Sequence, residues 1–238
     1  MTAHDARQTD DVSGAARPAV VTEEPADGAE AERLGSSPTE EAGGHELPDD
    51  PEPETLDPPP QVVADLSSAC VRFVAARYGV TLDFSPDTLS LVDQWIRDAS
   101  AERGGRAELT ELVQAAAGAY LGEVIRRAFG GTWLTSAGEM ADWKLCLSTV
   151  YCAFNPIGMA REAILLEEAE GWHTHFEVDP AERETVEQRL AALPEVRDDE
   201  FYAPSTRFDV VEILVEALRA AMDSRGLSRV RFTVDDYR

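Results

Sequence analysis

The placement of the aromatic residues constrains this chain most: all 17 Phe, Trp and Tyr residues lie beyond position 60. Residues 1–60 carry 16 acidic and 3 basic side chains together with 9 of the 14 prolines. Such a segment buries too little apolar surface to offset the roughly 1–2 kcal/mol of backbone entropy that ordering each residue costs. A disordered, acidic, Pro-rich tail is therefore expected over 1–60. The 178 residues that follow have the length of one domain, and a single globular domain over 61–238 is expected.

Acidic residues number 46 against 21 basic ones, for a formal net charge of -25, and the part beyond residue 60 still carries -12. That balance, with no basic stripe, disfavours phosphate and nucleic-acid binding. Apolar runs extend only a few residues, short of the roughly 20 a membrane helix needs, and the N-terminus lacks the basic-then-apolar pattern of a signal peptide. The expectation is a cytoplasmic protein with no membrane contact. Cys70, Cys146 and Cys152 form an odd set without C-x-x-C spacing, and so read as buried thiols.

Apolar periodicity divides 61–238 into elements. A first helix runs from Val62 through Leu66, Cys70 and Val74 to its stop at Gly79. Ser85-Pro86 opens a second, with Leu89, Val92, Trp95 and Ile96 on one face. The clearest helix spans 107–129, where Gly118 and Gly122 each cost roughly 1 kcal/mol relative to alanine, which implies close approach of another element. The period then turns alternating, and Thr132–Thr135 and Trp143–Ser148 predict a β-hairpin. Asn155-Pro156 caps a helix expected to reach Ala169 and end at Gly171. Trp172–Val178 predicts a strand. Asp179-Pro180 opens a helix closed by Pro194, and a last helix near 205–223, capped by Ser205 or Thr206, precedes an expected strand over 230–234. Strands scattered among five or six helices, one adjacent pair being hairpin-like, predict an α+β fold with a small, mostly antiparallel sheet.

The run Val80-Thr81-Leu82-Asp83-Phe84-Ser85-Pro86-Asp87-Thr88-Leu89, continued by Val92-Asp93, Gly118-Ala119-Tyr120-Leu121-Gly122-Glu123-Val124-Ile125 and Gly130-Gly131-Thr132-Trp133, resembles bacterial domains of unknown function. The resemblance covers roughly residues 78–136. It implies a bacterial cytosolic origin and a Tyr-Leu-Gly helix leading into a glycine-bounded strand with tryptophan; it implies no activity.

Few residues carry candidate chemistry. In an uninterrupted strand His173, His175 and Glu177 would share one face and converge on a divalent metal, the one cofactor the sequence suggests. A half-exposed strand with a polar outer face explains the same alternation more simply. Glu123, three and four residues before Arg126 and Arg127, reads as an ordinary helix ion pair worth a few tenths of a kcal/mol, in preference to a buried general base. Along a single strand Cys146 and Cys152 would be about 20 Å apart and unable to share a metal. Asn155 reads as a cap more readily than as part of an anion cradle. Tyr202 and Arg207 belong to types enriched at interface hot spots and are candidate partner-binding residues, although a helix-entry turn also accounts for them.

No catalytic residue is assigned. The leading expectation is a non-enzymatic interaction protein, adaptor-like or immunity-like, whose acidic body meets a basic partner surface. A metal-dependent enzyme built on His173, His175 and Glu177 is the alternative.

Overall fold

The computed structural model describes residues 56–102, 107–135, 138–194 and 196–238. The expected tail lies outside the described residues up to position 55. Leu56–Pro60 is described, and it is anchored: Arg126 Nη1 donates to the Asp57 carbonyl at 3.0 Å.

Among the described residues the chain forms seven helices and one four-stranded antiparallel sheet, an α+β fold. In order these are α1 Gln61–Tyr78, α2 Leu89–Ala101, α3 Ala107–Phe129, β1 Gly131–Leu134, β2 Lys144–Leu147, β3 Cys152–Phe154, α4 Pro156–Leu165, β4 Glu177–Val178, α5 Arg183–Ala191, α6 Asp198–Phe201 and α7 Pro204–Ser224. The sheet is a meander in the order β1-β2-β3-β4, with Thr132 opposite Cys146, Cys146 opposite Ala153 and Ala153 opposite Glu177. None of the helices described is long and apolar enough to cross a membrane.

α3 and α4 form the centre. Residues 113–126 of α3 are buried without interruption, as is most of α4, because each helix is covered on all sides instead of along one stripe. The two helix glycines explain how α3 and α4 meet. A Cβ on Gly118 would stand 2.4 Å from Ile157 Cα, and one on Gly122 would stand 2.1 Å from the Trp133 ring. The packing reason that their cost implies is thus the α3–α4 crossing and the seating of β1's tryptophan.

α1 ends where expected, with Gly79 at φ 71° and its N–H on the Ala75 carbonyl. Asn155 caps α4, its Oδ1 accepting from the N–H groups of Ile157 and Gly158. Four expectations are corrected. α4 stops at Leu165, not beyond Ala169, because Leu166 turns left-handed at φ 57° and the Ala169 N–H folds back onto the Glu162 carboxylate. The strand expected over 172–178 shrinks to Glu177–Val178. Gly158 admits Trp172 and Thr174 so closely that the chain crosses α4, with His173 at φ 49° and its carbonyl taken by the Asn155 N–H.

The third correction concerns 230–234, which forms no strand. Phe232 meets the turn between β2 and β3, strands already paired with each other, and obtains one hydrogen bond, from its N–H to the Ser148 carbonyl. Tyr237 fastens this segment: its hydroxyl accepts from the Cys152 N–H at 3.0 Å and lies 2.7 Å from the Leu147 carbonyl, while its ring stacks on Tyr151. Tyr237→Phe strands both backbone groups and is expected to cost about 1–2 kcal/mol in urea unfolding. Wild-type stability in that variant would remove the strap's role.

The fourth concerns the start of α7, where Ala203 occupies the cap position without a side-chain acceptor. The acceptor comes from α2: Asp93 Oδ1 takes the Ser205 N–H at 3.1 Å and Oδ2 lies 2.6 Å from Ser205 Oγ. Burial raises the Asp93 carboxyl above its ordinary value, opposed by the Ser205 bonds. A raised folded-state value stabilises most below the unfolded value near 3.8, and that contribution is lost as pH rises through the folded value. Asparagine, which mimics the protonated acid, should therefore gain stability relative to wild type from pH 4 towards pH 7. Denaturation of both proteins across that interval checks it; a difference independent of pH would contradict it.

Candidate functional site

A cleft of about 800 Å³ opens between the loop after α4, the α5–α6 region and the outer face of the first half of α7. Its apolar wall includes Phe176, Leu190, Leu193, Val210 and Ile213, and Val196 and Phe201 on its lip are 44% and 43% exposed. Among the described residues Glu162, Glu168, Asp198 and Asp209 line it in addition, against the one guanidinium of Arg207.

That guanidinium is built in. Arg207 lies on α7 one turn before the buried Val211, and its Nη2 donates to Glu162 Oε2 at 2.8 Å with the two side chains only 12% and 3% exposed. Glu162 Oε1 also accepts from Thr174 Oγ1 at 2.8 Å and from the Ala169 N–H at 3.3 Å, so one carboxylate joins α4, the following loop and α7. Phe201 and Tyr202 lie over the guanidinium at 4.5 and 5.2 Å. Burial pulls the Arg207 guanidinium below its usual range, and Glu162 opposes the shift. Its Nε is buried and has no partner among the described residues.

Tyr202 and Arg207, candidate partner-binding residues that a helix-entry turn also explains, both line this cleft. The proposed metal ligands are not gathered. With the strand reduced to two residues and His173 left-handed, His173, His175 and Glu177 lose their common face. His175 lines the cleft, while Glu177 pairs with Lys144 at 2.6 Å on the sheet edge. Among the described residues no group of three or more His, Cys, Asp or Glu side chains is placed to hold a metal ion.

Two further expectations change in kind. Glu123 does pair with Arg126, but bidentately at 2.8 Å and only 1% exposed, with Trp133 Nε1 donating to the same carboxylate at 2.9 Å. It is a core node joining α3, β1 and the segment before α1, not a surface pair. Cys146 and Cys152 lie on adjacent strands, and because Cys146 faces Ala153 in the register they point to opposite faces of the sheet. All three thiols are buried, and burial pushes Cys146 up to about 12 and raises Cys70 and Cys152 as well, so none is a thiolate at neutral pH.

Sequence reasoning did not assign Glu162, Thr174 or Phe201 to the site. The usable signal was a carboxylate inside the apolar run Ile157–Leu165, and an arginine in phase with Val211, Leu214 and Leu218.

Comparison with protein-family models, curated proteins and solved structures finds no match. The resemblance over 78–136 accordingly has no family model behind it, and functional inference rests on the geometry.

Proposed function

We propose that this chain is a cytoplasmic, non-enzymatic interaction domain, adaptor-like or immunity-like, that binds a basic partner surface. One observation carries the reading: in a chain of net charge -25, the described lining of the large apolar cleft carries Glu162, Glu168, Asp198 and Asp209 against a single guanidinium, that of Arg207, which is paired with Glu162. Such a field attracts cationic partners and speeds their encounter. Affinity isolation with the full chain from lysate of the source organism, at low and moderate salt, tests it. The expected result is a stoichiometric basic protein released as salt rises. A partner indifferent to ionic strength, or an acidic one, would contradict the reading.

A further inference from the structure

We propose that the cleft itself takes a short partner segment in which an apolar side chain is flanked by arginine or lysine. The inference rests on the basic-partner reading and adds where and how the partner docks. The apolar side chain sits against Leu190, Val210 and Ile213, and the flanking cations face Glu168, Asp198 and Asp209.

Size, surface and charge select this occupant. A volume of about 800 Å³ holds several side chains, more than packing defects of a core leave. The wall is apolar, and Val196 and Phe201 leave large apolar groups exposed at the lip, a surface that association would cover. Glu162 and Arg207 pair with each other, so among the described lining residues the carboxylates of Glu168, Asp198 and Asp209 dominate the potential felt by a ligand. An acidic segment entering there meets uncompensated like charge. That disfavours a second copy of a chain carrying -25. A purely polar cation would leave the apolar wall in water. A segment combining both characters satisfies wall and rim together.

Three acetylated, amidated heptapeptides test this on the full chain: alternating arginine and leucine, arginine and serine, and glutamate and leucine. Affinity is read by fluorescence anisotropy, and location by methyl NMR of Leu190, Val210 and Ile213. The arginine–leucine peptide is expected to bind at least about tenfold more tightly than the arginine–serine peptide, the gain of burying one or two leucine side chains. Its shifts centre on those three methyl-bearing residues. Ala191→Trp, which fills the cleft from an exposed position in its wall, removes the difference between the two arginine peptides. The paired change Asp198→Asn and Asp209→Asn weakens both arginine peptides and leaves their ratio intact. Equal binding of the arginine peptides, or shifts centred elsewhere, overturns the cleft assignment while the basic-partner reading stands. Binding of the glutamate–leucine peptide as tight as that of arginine–leucine overturns both.

Discussion

Replacing Glu162 by alanine is expected to destabilise the fold by about 3–5 kcal/mol, the cost of leaving one charge of a buried pair uncompensated. Arg207 would keep its charge with no acceptor, and the Thr174 hydroxyl and the Ala169 N–H would lose theirs. Because those three donors come from α7 and the loop after α4, the loss falls on the cleft wall as well as on global stability. Urea unfolding measures the total. Replacing both partners with leucine tests the cause, since a buried pair exchanged for apolar side chains of similar volume is often neutral. The double variant should therefore recover the part of the loss due to the uncompensated Arg207 charge, while the Thr174 hydroxyl and the Ala169 N–H stay without their acceptor. A single variant within about 1 kcal/mol of wild type would show that water, not protein, surrounds this pair.

The second large effect is expected at Gly118. Leucine there must displace the Ile157 backbone, since even a Cβ would stand 2.4 Å from its Cα and 2.8 Å from the Pro156 carbonyl oxygen. No rotamer relieves a contact between two main chains, so the helices must separate. The expected loss is about 3 kcal/mol or more, well beyond the roughly 1 kcal/mol that glycine's poor helix propensity returns. Alanine should show the same sign with a smaller loss. Stabilisation by alanine, measured as a rise in urea midpoint at unchanged slope, would contradict the close crossing of α3 and α4.

The sequence spoke clearly where a local rule and the packing agree. α3 was legible to its ends over 107–129, Gly79 and Asn155 mark their caps, and the glycines of α3 announced a close neighbour. The hairpin of β1 and β2 followed from alternation alone. It misled where distant groups decide. α4 ends early because its own Glu162 captures Ala169, and α7 is capped by Asp93, 112 residues away in sequence. The alternation at 172–178 resembled a strand, but the contact of Trp172 and Thr174 with Gly158 governs the path, and the metal constellation dissolved with it. Tyr202 and Arg207 were visible as residue types, whereas the cleft they share needs α5, α6 and α7 folded together.

On the proposed docking, this acidic cleft selects cations by long-range charge and holds them by apolar burial. The most direct measurement is the affinity of the arginine–leucine heptapeptide for the full chain between about 20 and 200 mM salt, where the Debye length contracts from roughly 20 to 7 Å. A steep fall in affinity is expected, one that still leaves the arginine–leucine peptide ahead of arginine–serine at the upper end. An affinity unchanged across that interval, or an advantage of leucine that vanishes with the charge, would contradict it.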